Sequence, residues 1–459
     1  MHEFSSSTNA LPVLVVGAGL SGTLMAIFLA KRGYPVELLE KRADPRIHTE
    51  HAGRSINMAI SARGIHALQQ AGIEDQVADL YIPMYGRMIH ELDGAQELQP
   101  YGQPGQAIHS ISRRDLNIRL LNAAKDFPNL RIHFGVHIES IDLESRSVTY
   151  LESDAEETQT LHGRWIVGAD GVNSVVRKHM LEAARLNFSQ DFLDYGYKEL
   201  VMPAESDGTF QMDPNALHIW PRHQYMLIAL PNQDGSFTVT LFLPRSTEDG
   251  FSFRSLQTDE DVRAFFKENF PDALARIPDL EEQFFTNPIG SLVSIRCNPW
   301  HYKDAAVLIG DASHGVVPFY GQGMNAAFED CALLDEHLEH EEALGLDVVL
   351  AHFSRSRYPH AEAIRELSLA NFQEMRSDVS RSWFVWQKHL ERWLARVAPD
   401  RFIPLYSMIS FTNIPYANAI DRDRAQRRQI AGIALAAAVG TAAVGAWRLV
   451  GRKRKRRAS

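Results

Sequence analysis

Cysteine is scarce. Two residues in 459, Cys297 and Cys331, exclude a disulfide framework, and their spacing offers no metal-ligand pattern. A reducing cytosol is therefore the expected compartment, no metal is expected, and both cysteines read as buried small hydrophobes. The N-terminal "MHEFSSSTNA" lacks a basic region and the apolar stretch behind it is broken by glycines, which argues against a secretory signal. Internal repeats are missing, as is any low-complexity segment before residue 430. Positive charge is also scarce outside one place. The net charge is -10, yet residues 421–459 hold eleven Lys or Arg and two Asp, so the remainder sums to about -19. An acidic body argues against general nucleic-acid binding.

What is present is the composition of a packed globular protein, 45% hydrophobic and long enough for two or three domains. Residues 12–40 read as a βαβ opening: "VLVV" a buried strand, "GAGLSG" a loop, "TLMAIFLAKRG" a helix ending at Gly33, "PVELLE" a second strand. "RIHF" and "RWIVGADG" give further strands, and "AAVLIGD" returns to parallel-sheet character. Between about 190 and 250 the texture changes to strands joined by Asn, Gly and Pro turns, "ALHIWPRHQYMLIALPN" and "SFTVTLFLPR", an antiparallel pattern. The expected fold is α/β: a Rossmann-like nucleotide-binding domain split in sequence (10–80, 105–185, 290–350), an inserted antiparallel sheet domain (81–104, 186–289), and a helical region (351–429). The aromatics of "SWFVWQKHLERWL" read as core.

Three signals point to a dinucleotide. In "GAGLSG", Gly17 permits the tight turn, Gly19 lets backbone approach a pyrophosphate, and Gly22 allows close helix–strand packing at an anion-favouring helix start. Glu40 ends the next strand eighteen residues after Gly22, where a carboxylate accepts hydrogen bonds from an adenosine ribose. "GADGVNSVVR" sets Asp170 at a strand end before a helix bearing Arg177; Asp170 also suits a helix cap. "LIGDASHGVVPFYGQGMNAAFED" places Asp311 where it can bind sugar-alcohol hydroxyls, and a bare helix start after Gly323 faces an electron-rich ring. With no second GxGxxG in the chain, one tightly held FAD is the economical reading.

In this order and spacing, the three motifs resemble the FAD-dependent aromatic hydroxylases of the para-hydroxybenzoate hydroxylase fold. The blocks "GRSINMAIS", "PMYGRMIH", "SISRRDLN", "LHIWPRHQYMLIALPN", "LANFQEMR" and "FIPLYSM" are similar to the kynurenine 3-monooxygenase branch. The resemblance implies that FAD is contacted by Ser21, Leu39, Glu40, Lys41, Arg42, Ala59, Arg113, Asp311, Met324 and Asn325. It also implies that Arg87, Tyr101, Asn371 and Tyr406 hold the amino-acid end of L-kynurenine. A free carboxylate needs a permanently charged fork with phenolic donors, which fits Arg87, Tyr101 and Tyr406. Leu217, Ile219, Met226, Ile228, Leu230, Phe242 and Pro318 are expected to wall the aniline ring. His314 is expected to be structural or flavin-side, because the aniline nitrogen already activates the ring. NADPH as a transient reductant, O2, a flavin C4a-hydroperoxide and a place in tryptophan degradation toward quinolinate and NAD are implied likewise.

Two rivals stay open at this level: a hydroxylase of another aromatic acid or quinone precursor, and a membrane-attached flavin reductase. The tail adds a separate question. Ile430–Trp447 is eighteen uncharged residues, eight of them Ala and three Gly, followed by the basic "RKRKRR". A helix of that length spans about 27 Å against a hydrocarbon core of about 30 Å, but crossing would carry six positive charges through the bilayer. Attachment to an anionic membrane surface therefore competes with a span and with a solvated helix.

Overall fold

The computed structural model describes residues 11–47, 57–153, 155–376 and 402–432. A six-stranded sheet runs in the order His301–Tyr302, Ala306–Leu308, Trp165–Gly168, Val13–Val16, Val36–Glu40, Leu130–Phe134. All neighbours are parallel except the first pair. Parallel strands are covered on both faces, which is why "VLVV" and "WIVG" are continuous apolar runs and not alternating ones. Helix Leu20–Lys31 lies between this sheet and helix Gly323–Leu338, so ten of its twelve residues are buried and no amphipathic stripe is needed. Two three-stranded antiparallel sheets, Asn57–Ile60/Ile108–Ser112/Ile82–Met84 and Val136–Asp142/Ser147–Glu152/Gln159–His162, flank it.

The second large sheet has seven strands: Gly290–Asn298, Asn187–Met202, Phe237–Pro244, Tyr225–Pro231, Ala216–Arg222, Gly86–His90, Gln96–Pro100. Gly290–Asn298 falls in the range that sequence texture groups with the nucleotide domain, yet it pairs with Asn187–Met202; three apolar positions and a parallel-like run do not reveal the partner. This sheet is buried on both faces. Leu227, Ala229, Val239, Leu241 and Leu243 face one core with Phe265, Phe266 and Phe270 of the helices behind it. Their alternate neighbours Met226 and Phe242 face a second core with Tyr195, Ile219, Phe319 and Phe372. Each fully buried side chain of this size stabilises by about 1.5–3 kcal/mol.

Helix Leu346–Arg376 ties the layers together. Its Val349, Leu350 and Phe353 enter the nucleotide-sheet core, and Phe372, near the other end, enters the pocket-side core of the seven-stranded sheet. Leu405–Phe411 and a helix over 416–432 dock on Ala326 through Met408, Ile409 and Tyr416. No helix among the described residues is long and apolar enough to cross a membrane. The aromatic run of 382–394 and the tail beyond 432 lie outside the described residues.

Candidate active site

The carboxyl ends of the parallel strands lie side by side, and backbone bonds extend the ladder into the loops beyond. Gly17 N–H donates to Leu39 O (2.7 Å), Ala169 N–H to Val16 O (2.9 Å) and Ile309 N–H to Gly168 O (3.0 Å). Three motifs far apart in sequence thus share one sheet edge, where open α/β sheets bind ligands. Gly17 has φ +99°, and a Cβ there would stand 2.7 Å from Ala169 O; one on Gly22 would lie 1.8 Å from Gly17 O. A Cβ on Gly19 would meet nothing within 4 Å, and the helix it precedes has no side-chain cap. Tight packing behind and open ground in front of uncapped amides make a cradle that fits a diphosphate.

Several expected cofactor residues have already found partners. Glu40 Oε2 accepts from Ala18 N–H (2.8 Å) and Oε1 from Arg42 Nε (2.7 Å) and Arg42 N–H (3.0 Å). Burial pushes this carboxyl up, but the Arg42 hydrogen bond and charge and the two amides hold it below the usual range. With its lone pairs taken, Glu40 reaches a ribose only if the exposed Arg42 side chain moves. Lys41 is exposed and Leu39 is strand interior. Asn325, expected to face the flavin, is fully buried: Nδ2 donates to Ala59 O (2.9 Å) and Gly321 O (3.0 Å), and Oδ1 accepts from Ser61 N–H (2.8 Å). Its side chain staples the Ala59 strand end to the loop at Gly323 and Met324, so any contact it makes with a ligand is through backbone.

Arg177 likewise has partners within the protein. It donates to Ala312 O (2.7 Å) and Val172 O (2.5 Å), joining two of the motif loops. Asp170 accepts from Val175 N–H (2.6 Å) and Val176 N–H (3.2 Å), while its Oδ1 is buried without a partner. Burial pushes the Asp170 carboxyl up. Asp311 is exposed on the cleft wall, yet the surrounding protein raises its carboxyl against the pull of His314 and Arg113. An orphaned buried oxygen and a raised, cleft-facing carboxyl are the donor set a polyhydroxylated cofactor chain would satisfy. Ser21 joins them, since a Cβ on Gly310 would stand 3.1 Å from its Oγ. His314 is withdrawn: Nε2 lies 2.5 Å from Asp330 Oδ2, and the ring stacks on Trp300 with centroids 5.0 Å apart.

At the other end of the cleft Arg87 lies over two phenol rings, Tyr406 at 4.9 Å and Tyr101 at 5.5 Å, which themselves stack at 5.0 Å. Arg87 forms no ion pair among the described residues, and neither its Nε nor the buried Tyr101 hydroxyl has a hydrogen-bond partner. Burial pushes the guanidinium down, but the two tyrosines more than offset it, so the site holds a cation. Asn371 Nδ2 donates to Phe319 O (2.6 Å), so its amide braces the Pro318–Tyr320 turn.

Register puts Arg87, Leu217, Ile219, Met226, Ile228, Leu230 and Phe242 on one sheet face. Pro318 is exposed, and the apolar wall on its side is Phe319, stacked on Phe372 at 4.4 Å. Phe319, Phe372 and Tyr195 were missed; "LANF" places Phe372 beside Asn371, the one signal that could have found it.

The two-sheet scaffold with its glycine cradle is that of a flavin-dependent monooxygenase of the FAD-binding-domain family, whose model matches residues 10–368. Kynurenine 3-monooxygenases of Salinispora arenicola (44% identical; 96% of this chain and 98% of that protein) and Sus scrofa (42%; 93% and 89%) are similar, and the chain belongs to the kynurenine 3-monooxygenase family. Among solved structures, 2-methyl-3-hydroxypyridine-5-carboxylic acid oxygenase matches in fold with TM-score 0.65 at 19% identity, covering 82% of this chain and 95% of that one. PqsL, a probable FAD-dependent monooxygenase from Pseudomonas aeruginosa, matches with TM-score 0.64 at 20% identity, covering 83% and 100%.

Proposed function

We infer that this chain is an NADPH-dependent FAD monooxygenase that hydroxylates L-kynurenine to 3-hydroxy-L-kynurenine with O2. The observation that carries the substrate is Arg87, a half-buried cation with no carboxylate partner among the described residues, flanked by the Tyr101 and Tyr406 rings. Gly17, Gly19, Ser21 and Gly22 would hold the diphosphate, Leu39 to Arg42 the adenosine, and Asp311 and Asp170 the polyol side. Ala59, Arg113 and the Gly323, Met324 and Asn325 helix start would border the ring. FAD held there would supply the redox chemistry, accepting reducing equivalents from NADPH and using O2 to deliver one oxygen atom to the substrate ring, the other leaving as water.

The chain's own share is placement and exclusion of water. Arg87 fixes the amino-acid carboxylate, with Tyr101, Tyr406 and Asn371 around it, and the Met226, Ile228, Phe242 and Phe319 wall keeps the ring end dry. Uncapped amides at the Gly323 helix start favour negative charge on an adjoining ring system. No base has to act on the substrate, since its amine already directs density to the ortho carbon. That accords with a His314 locked against Asp330.

On this reading, 10–80, 105–185 and 290–350 form the FAD domain, 81–104 and 186–289 the substrate domain, with strand Gly290–Asn298 shared between them. The basic-flanked segment 430–459 would attach to anionic membrane surface, checked by fractionating the full chain beside one truncated after Arg428. The function itself is tested by the purified protein's absorbance spectrum and by NADPH oxidation with and without L-kynurenine. A yellow protein whose NADPH oxidation quickens and yields 3-hydroxykynurenine is expected. A colourless protein, or a rate indifferent to kynurenine, would overturn it.

A further inference from the structure

Behind the strand that carries Arg87, buried side chains form a hydrogen-bonded chain that no step above uses. His218 Nε2 lies 2.8 Å from Asp213 O, His218 Nδ1 2.8 Å from His90 Nε2, and His90 Nδ1 2.9 Å from Asp272 Oδ2. Trp220 Nε1–H donates to both Asp272 oxygens at 2.9 Å, and its ring stacks on His90 with centroids 4.0 Å apart. Both histidines are 1% exposed.

The protons in this chain can be counted. Asp213 O only accepts, so His218 Nε2 carries hydrogen. Burial pushes the Asp272 carboxyl up, but His90 and Trp220 bring it below the usual range, so it too only accepts and His90 Nδ1 carries hydrogen. A third proton occupies the bond between the rings. Two neutral imidazoles offer two N–H groups and the chain needs three, so the pair bears one positive charge. Burial pushes His218 down to about 4, and the His90 ring lies between the Asp272 carboxylate and the Trp220 face. The other charged groups nearby are Arg222, which donates to His90 O (2.9 Å) with Glu91 beside it, and Arg276, which donates to Asp272 O (2.5 Å).

Strand register links this cluster to the cleft. Gly86–His90 pairs with Ala216–Arg222 in the only parallel joint of the seven-stranded sheet, Arg87 opposite Leu217 and Met88 opposite His218. Arg87 and Leu217 point to the cleft, while His90, His218 and Trp220 point away. A slip of one residue would turn Arg87 out of the site. We propose that His90, clamped by hydrogen bonds between Asp272 and His218, is a positioning residue that fixes this register and so presents Arg87 to the substrate carboxylate. The proposal rests on the reading of Arg87 as the carboxylate anchor.

The test is a double-mutant cycle on the flavin-loaded enzyme with Arg87→Met, His90→Gln and the pair, reading the L-kynurenine Kd from flavin absorbance and kcat at saturation. His90→Gln should raise Kd about ten-fold with kcat unchanged, and add nothing in the Arg87→Met background. Asp272→Asn serves if His90→Gln does not fold, with the same expectation. An unchanged Kd, or equal losses in both backgrounds, overturns the proposal. If Arg87→Met alone leaves Kd unchanged, the anchor reading falls and takes the positioning role with it, a result distinct from equal losses, which sink positioning alone.

Discussion

Arg357 is fully buried and Arg87 half-buried, and the fold treats them in opposite ways. Arg357 pairs with Asp330 (2.6 Å) and Glu329 (2.6 Å) and donates to Ala326 O (3.0 Å). Asp330, fully buried, also receives Gly310 N–H (2.9 Å) and His314, so burial pushes its carboxyl up while His314 and Arg357 bring it below the usual range. Arg87 has two aromatic faces and, among the described residues, no anion. Charge behind helix Gly323–Leu338 is closed on itself, whereas charge in the cleft is left open. A half-buried cation with no acidic partner among the described residues is one for which a ligand can supply the anion.

Substitution should separate the two arginines. Arg357→Ala strands Asp330 and Glu329 in the interior and should cost about 3–5 kcal/mol of stability, seen as a large drop in Tm or loss of folded protein. Arg87→Met should leave Tm unchanged or higher, because it removes an unpaired charge, while raising the L-kynurenine KM about 100-fold and uncoupling NADPH oxidation from hydroxylation. If Arg87→Met unfolds the protein as Arg357→Ala does, the contrast between them is lost. Tyr406→Phe keeps the stack on Tyr101 and deletes one hydroxyl; a KM rise of about five-fold with full coupling is expected, and no change would remove that hydroxyl from the carboxylate site.

The contrast also explains what was legible in the sequence. Gly17 is required by its own φ of +99° and Gly22 by its contact with Gly17 O, so their motif, its strand and its helix can be read from a short window. Asp311 and the uncapped start at Gly323 are likewise local. Arg87 was legible only through the resemblance, because an arginine's want of a partner depends on what every other element brings near it. Glu40, Asn325 and Arg177 show the converse: their residue types suit a ligand, but in the fold other protein groups hold their side chains, Arg42 and Ala18 for Glu40, Ala59, Ser61 and Gly321 for Asn325, Val172 and Ala312 for Arg177. The His90–Asp272 chain spans 182 residues of sequence and left no pattern at all.

Glu199 offers the smallest and most diagnostic test, because it is the cleft's counterpart to Asp330. It lies in the strand that carries Tyr195 and Tyr197, and burial pushes its carboxyl up to about 7, with the Arg113 charge opposing. A carboxyl whose pKa is raised on folding from about 4.3 favours the fold while protonated. That contribution is complete below about pH 4.3 and is lost as pH rises toward 7. Glu199→Gln cannot ionise, so its Tm should match the parent's at pH 4 and exceed it at pH 8. Partial exposure screens the charge and keeps the gain to about 2 °C. Asp330, whose carboxyl is lowered, runs the other way: its stabilisation is present above the ordinary carboxylate range and fails only as pH falls below it. A Tm gap between parent and Glu199→Gln that stays constant from pH 4 to pH 8 would mean that Glu199 is already paired, and that the cleft is less open to a ligand's charge than Arg87 suggests.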